Sequence, residues 1–245
     1  MQATEDSIMA PQETPSRQHV WTMFDRIAHR YDLLNHLLSG NRDVAWRRKM
    51  AAVLPSRTGL DALDLATGTG DQLLTLAETG KLRSGVGIDL AEKMLAIGRE
   101  KIEQRKLSAT LRLQTGDAGA IPFEDSLFDV VSISFGIRNV LDVPTSLREM
   151  HRVLRPGGRA LILEFSLPRN AVVRRSYLFY FRHILPMLGS IISGDSYAYR
   201  YLNQTVETFP YGEAFCSMMR EAGFTDVTAT ELTFGIATIY SGDKR

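Results

Sequence analysis

The stretch LDLATGTGD, Leu63 to Asp71, followed by GVGIDLAEKML, Gly85 to Leu95, leaves this chain few ways to fold. It reads as a buried strand, a glycine turn, a helix and a second strand that ends on a lone carboxylate. Gly68 and Gly70 let backbone approach a ligand where a side chain would block it, and the helix beginning there presents unpaired N–H groups. Asp89, roughly 20 residues on, is placed to accept hydrogen bonds from both ribose hydroxyls. A dinucleotide fold wants a small third residue three positions after the second glycine, beside the pyrophosphate, and here that position is Leu73. No lysine follows the turn as a phosphate-binding loop requires. The implied ligand is an adenosine without phosphates, and S-adenosylmethionine fits that description.

From Ala62 onward, short β-rich runs alternate with helical patterns, the signature of an α/β fold whose parallel sheet carries helices on both faces. The pattern predicts strands near 62–67, 84–89, 110–115, 128–134 and 159–165. The helix after Asp89 puts Leu90, Met94 and Ile97 on one stripe, and the helix after Pro144 does so with Leu147, Met150 and Leu154. Arg155, Pro156, Gly157 and Gly158 should end that helix and turn the chain into the next strand. TDVTATELT and IATIYSGDK, near the C-terminus, read as two tightly joined strands, an antiparallel edge hairpin completing seven strands. Residues 17–245 are expected to form one domain, preceded by a disordered arm over 1–16. Within it, 20–54 and 168–210 lie outside the strand–helix repeat. Ligands of open α/β sheets bind beyond the carboxyl ends of the strands, so both segments are expected to close a substrate pocket.

Composition narrows the partners. Lys plus Arg (29) nearly cancels Asp plus Glu (28), so no global field holds a polyanion, and a nucleic-acid substrate is disfavoured. The chain has one cysteine, Cys216, and five scattered histidines, a pattern that predicts a reducing compartment and no metal. No secretory or transit signal is legible. The apolar stretch Tyr177 to Ile192 is interrupted by Arg182, His183 and Pro186, so a cytoplasmic location is expected.

Two further corners add chemistry. Asp117, in TGDAGAIPF, ends the third strand, where its carboxylate can accept from an adenine amino group while Ala118 leaves room for the ring. Its ordinary alternative is a loop-capping aspartate. SISFGIRNV, Ser132 to Val140, ends the fourth strand, where amino-directed DNA methyltransferases carry an Asp/Asn-Pro-Pro-aromatic sequence; the lack of those prolines argues against a flipped base. Arg138 and Asn139 instead offer a cation and an amide near the methyl donor, with a surface salt bridge and a turn residue as the plain alternative.

From Tyr31 to its end the chain resembles the ubiquinone/menaquinone biosynthesis C-methyltransferase family. YDLLNHLLSGNRDVAWRR, LDLATGTGD, SFGIRN and RVLRPGGRALILEFS match that family's characteristic segments in order. Ala66-Thr67, where a further glycine is common in the family, is the visible departure. The resemblance implies a class I methyltransferase, Rossmann-like sheet, S-adenosylmethionine as co-substrate, and a lipophilic prenylated quinol as acceptor. That acceptor would be demethylmenaquinol or the benzoquinol precursor of ubiquinone, with another small phenolic or lipid acceptor as the alternative. Carried over by position, it implies donor contacts from Thr69, Asp89, Asp117, Ala118 and Ser134 beside Gly68 and Gly70.

A ring carbon becomes nucleophilic when the quinol ionises, and its phenol should start near the tyrosine value of about 10. Arg138 and Asn139 are therefore expected to hold the phenolate. Tyr31, His36 and Glu164 remain open as the base, with Tyr31 counted among the catalytic candidates. Between Arg169 and Arg200 lie five arginines and one acid, Asp195, interleaved with aromatic rings. Such a strip suits peripheral membrane contact, an amphipathic lid packed on the sheet, or a homodimer interface.

Overall fold

The computed structural model describes residues 20–184, 187 and 196–245; side chains at 30, 31, 33–35, 37, 38 and 196–200 fall outside the description. The expected arm over 1–16 lies outside the described residues. Seven strands, β1 (Leu60–Leu65), β2 (Leu82–Asp89), β3 (Leu111–Thr115), β4 (Phe128–Ser134), β5 (Leu154–Phe165), β6 (Thr225–Leu232) and β7 (Ala237–Asp243), pair in the order β3-β2-β1-β4-β5-β7-β6. The first five are parallel, and β7 inserts antiparallel between β5 and the edge strand β6. The expected seven-stranded sheet with its C-terminal antiparallel hairpin is the observed one.

All six residues of β1 are buried, as a central strand covered on both faces must be. Helices α3 (Asp71–Ala77), α4 (Glu92–Gln104) and α5 (Val143–Val153) are the crossovers. Leu73 is fully buried, and a Cβ built on Gly85 of β2 would sit 2.9 Å from its Cδ1. The small residue a dinucleotide fold places in the helix is thus supplied by the strand. Gly98 lets α4 come close to the first corner, because a Cβ there would lie 3.1 Å from the Thr69 carbonyl.

One expectation is corrected. Leu154 does not continue the helical stripe: α5 ends at Val153, and Leu154 pairs with Phe128 as the first residue of β5. Arg155 to Gly158 then bulge out within the strand, Gly157 at φ 77, before Arg159 resumes pairing opposite Val130. Gly157 donates its N–H to Lys244 O at 2.7 Å and Lys244 donates back to Gly158 O at 2.9 Å, so the loop is tied to the end of β7 rather than acting as a helix stop.

Outside the sheet, α1 (Val20–Ser39) and α2 (Arg42–Ala51) precede β1, while α6 (Ala171–Phe179), a π turn (Tyr180–Ile184), α7 (Ser196–Thr208) and α8 (Glu213–Glu221) lie between β5 and β6. In α2 the buried residues Asp43, Trp46, Arg47 and Met50 follow i, i+3, i+4, i+7 spacing, one helical face. Trp46 anchors that face, donating Nε1–H to Thr233 Oγ1 at 2.8 Å in the β6–β7 turn and packing its ring 6.1 Å from that of Phe135.

Candidate active site

The carboxyl ends of β1, β2, β3 and β4 open onto a trough made of two adjoining cavities. The larger, about 210 Å³, is lined by Asp89, Asp117, Ala118, Ser134 and Asn139, with Trp21 and Phe24 of α1 as an aromatic wall. The smaller is lined by Arg47, Asp64, Thr67, Thr69, Asp71 and Gln72. Ala66, Gly68 and Ser134 border both.

Both strands at the heart of the trough leave the sheet through left-handed residues that are not glycine, Ala66 after β1 (φ 45) and Phe135 after β4 (φ 57). Each costs on the order of 1–2 kcal/mol, strain of the sort that collects at functional sites. A Cβ on Gly136 would lie 2.6 Å from the Ala66 methyl, so Gly136 makes the room that this methyl needs.

Asp89 is held by backbone. Its Oδ2 accepts from the Gly68 N–H at 2.8 Å and its Oδ1 from the Ala91 N–H at 2.9 Å. Burial raises its pKa, and the amides of Ala91, Gly68 and Leu90 pull against that rise. Each carboxylate oxygen keeps a lone pair to spare, which suits paired ribose hydroxyls. Asp117 is a loop cap, Oδ1 accepting from the Gly119 N–H at 2.8 Å, and it lines the cavity beside Ala118.

Other candidates take different places. The Thr69 hydroxyl donates to Asp32 Oδ1 at 2.7 Å and accepts from Lys101 Nζ at 2.9 Å, and Lys101 also pairs with Asp32 and Asp71 at 2.6 Å each. Thr69 therefore ties α1 to α4 as well as bordering the smaller cavity. Sequence reasoning missed Asp32 and Lys101, which lie on two helices far apart in the chain and outside any motif. Gly70, at φ 80, starts α3 and lines neither cavity.

Arg138 requires the main correction. It is buried and is not among the residues lining the trough. Its Nη1 donates to Glu164 Oε1 at 2.7 Å and to the Phe135 carbonyl at 2.6 Å, and the guanidinium stacks 5.3 Å from the Phe165 ring. The expected free cation is thus neutralised by a carboxylate, and it fastens the strained turn at Phe135. Asn139, in contrast, does face the trough, with a buried Oδ1 that has no hydrogen-bond partner.

Of the three base candidates, Glu164 is engaged with Arg138, and His36 pairs through Nδ1 with Asp43 at 2.9 Å. The Tyr31 side chain lies outside the described residues. Tyr177 of α6, missed by the sequence reading, has a buried hydroxyl without a partner. Burial pushes that hydroxyl well above the ordinary tyrosine range even with Arg138 pulling it down, so it is a neutral phenol and no base.

The ubiE/COQ5 methyltransferase family matches residues 12–244. The chain belongs to that family. It is 45% identical over 232 residues to the ubiquinone/menaquinone biosynthesis C-methyltransferase UbiE of Geobacter sulfurreducens, covering 94% of this chain and 90% of that one. It is 48% identical over 222 residues to the demethylmenaquinone methyltransferase of Thermus thermophilus, covering 91% and 100%. Among solved structures, a SAM-dependent methyltransferase of Thermotoga maritima matches with a TM-score of 0.64 at 20% identity, over 93% of this chain and 100% of that one. Phosphoethanolamine N-methyltransferase 2 of Haemonchus contortus matches at 0.66 and 17%, over 94% and 60%. At that identity the structures speak for the fold, the class I methyltransferase sheet. As a member of the ubiE/COQ5 family, the chain is an S-adenosylmethionine-dependent methyltransferase.

Among the described residues, no helix is long and apolar enough to cross a membrane, and no group of three or more His, Cys, Asp and Glu side chains could hold a metal.

Proposed function

We propose that this ubiE/COQ5 family member methylates a ring carbon of demethylmenaquinol, giving menaquinol, and that the methoxylated benzoquinol precursor of ubiquinone is its alternative acceptor. The observation that carries this reading is the trough itself. A carboxylate held by two amides and a small residue beside Asp117 suit adenosine at one end, and an aromatic wall with an unpaired amide oxygen suits a quinol at the other. S-adenosylmethionine supplies an electrophilic methyl, so the protein's task is to activate and aim the acceptor. Asn139 Oδ1 can accept a hydrogen bond from the quinol hydroxyl, and Trp21 and Phe24 exclude water. In the balanced reaction the ring C–H would become C–CH3, the donor would leave as the neutral thioether S-adenosylhomocysteine, and one proton would pass to solvent. Asp89, Asp117, Ala118 and Ser134 are assigned to the donor, Asn139 to the acceptor and Arg138 to positioning.

The lipophilic acceptor lives in a bilayer, and we assign contact with an anionic bilayer surface to α6. None of its residues is buried; it exposes Arg174 and Arg175 beside Val172 and Phe179, and Arg182 and His183 of the π turn continue the face. The part of the 169–200 strip at 185–186 and 188–195 lies outside the described residues.

Purified protein incubated with demethylmenaquinol and methyl-labelled donor should yield labelled menaquinol; label appearing instead on another phenol or lipid would replace the substrate. Co-sedimentation with anionic but not zwitterionic vesicles, lost in the Arg174→Glu/Arg175→Glu variant, tests the bilayer contact. Self-association of the native chain that the same variant abolishes would make that face a dimer interface.

A further inference from the structure

Arg47 is a buried cation that forms no ion pair with a described residue, although Asp64 across the small cavity feels its charge. Among the described residues no carboxylate lies within ion-pair distance of it, and its Nε has no hydrogen-bond partner. The carboxylates on its helix face and around the small cavity are already engaged, Asp71 by Lys101 at 2.6 Å. Asp43, on the same face of α2, is taken by His36 at 2.9 Å and by the Ser39 hydroxyl at 2.6 Å. Asp64, across the small cavity, accepts from the Ser132 and Thr67 hydroxyls at 2.6 Å each. Arg47 rests its guanidinium 5.5 Å from the centre of the Phe135 ring, which holds it in place without answering its charge.

Gln72, fully buried in α3, repeats the pattern. Its Oε1 accepts from Ser134 Oγ at 3.1 Å, which fixes the amide, while Nε2 has no partner. Two buried, unsatisfied donors from two different helices therefore border one small cavity, beside Gly68 and Ser134. Buried donors are rarely left unpaired, and a buried arginine more rarely still, unless a ligand completes them. The carboxylates that line the cavity, Asp64 and Asp71, are bound by Ser132, Thr67 and Lys101, so the acceptor that would complete both donors is a planar anionic group brought by a ligand, and a carboxylate has that chemistry. The cavity also adjoins the end of the trough assigned to the donor.

We infer that Arg47 and Gln72 form a clamp for the α-carboxylate of the methyl donor, Arg47 Nε and Gln72 Nε2 being the two donors that face it. This rests on the donor reading above. It extends that reading from the adenosine, which the sequence motifs address, to the amino-acid end, which none of the motif residues addresses. Trp46 sets the clamp's geometry: its indole bond to Thr233 and its packing on Phe135 lock the turn of α2 from which Arg47 projects.

The test compares S-adenosylmethionine with its decarboxylated form, which differs by the carboxylate alone, by calorimetric titration of the native protein and of Arg47→Met. The native protein should prefer the carboxylated ligand by about 10- to 100-fold, the range for a hydrogen bond to a charged group. Arg47→Met should lose most of that preference while binding the decarboxylated ligand as well as before. Arg47→Lys should restore part of it, and Gln72→Leu should weaken the carboxylated ligand by about 10-fold. Melting without ligand provides the fold control: Arg47→Met should keep a cooperative transition close to that of the native protein, because losing a buried charge is offset by losing its pull on Asp64. A variant that keeps the native preference, or that loses both ligands in equal proportion, overturns the clamp and leaves the donor reading standing. A native protein that binds neither ligand overturns both.

Discussion

The corner after β1 and the corner after β4 stand side by side on neighbouring parallel strands, and both pass through a left-handed residue with a side chain, yet they treat polar groups in opposite ways. At the Ala66 corner, hydrogen-bonding capacity is left open: Asp89 has spare lone pairs, and Arg47 Nε and Gln72 Nε2 are unpaired. At the Phe135 corner, the strongest charge is closed off by an ion pair, with Arg138 bound through Nη1 to Glu164 and to the backbone carbonyl although its Nε is unpaired. The first corner is poised for a ligand that brings its own charges. The second fixes the shape of a wall and leaves recognition to Asn139 and to apolar surface, as a neutral quinol demands.

The largest effect expected from breaking this contrast is in stability. Arg138→Ala leaves Glu164 buried without its partner and should cost about 3–5 kcal/mol in denaturant unfolding, whereas Arg138→Met combined with Glu164→Leu should recover most of that. A stable Arg138→Ala protein with intact donor binding and turnover lowered on the order of 100-fold would return Arg138 to direct contact with the phenolate.

Next comes Asp64, which sharpens the comparison on the donor side. Burial lifts its pKa to about 6, against the pull of Ser132, Thr67 and Arg47. Below the ordinary carboxylate value both folded and unfolded chains hold the proton. Between there and about 6 the folded chain alone holds it, so stability falls as pH rises, and above about 6 the full cost of the buried charge remains. Asp64→Asn should therefore gain on the native protein by about 3 kcal/mol between about pH 4 and about pH 8, read by urea unfolding. A gain independent of pH would mean that the carboxylate carries no such cost.

Asp89→Ala should weaken donor binding by about 10- to 100-fold, with a smaller change in the turnover of saturated enzyme. An unaltered donor titration would remove Asp89 from the ribose. The smallest effect belongs to Ala66→Gly, which relieves a left-handed alanine and adds unfolded-state freedom, two terms that nearly cancel; the melting free energy should change by less than about 1 kcal/mol. A large loss would show that the Ala66 methyl packs against Gly136 as a structural contact.

Residues whose task is local were legible. Gly68 needs its left-handed turn, Asp89 needs the end of a strand, and alternating strand and helix periods need no knowledge of partners, so the sheet and the donor corner follow from short-range pattern. The loop cap of Asp117 was legible, since its bond reaches two residues along the chain. Arg138 was not, because its partner lies 26 residues away. Parallel pairing of Ser134 with Leu163 brings Phe135 and Arg138 up to Glu164, and no spacing rule in SFGIRN announces that register. The Arg155 to Gly158 stretch misled for a related reason: Pro and Gly signal a break in helix, but the tie to Lys244 at the far end of the chain made it a bulge in a strand.

By itself the sequence determined which backbone conformations each corner can hold and which faces must be buried, because glycine sterics and hydrophobic period act over a few residues. Only the tertiary structure decided which charges remain available. Whether an arginine is neutralised, as Arg138 is by Glu164, or left facing a cavity, as Arg47 is, depends on what the packing of distant strands and helices places beside it. In a buried site that proximity outweighs the residue's own chemistry, since there is no solvent to screen the charge or to satisfy the donor.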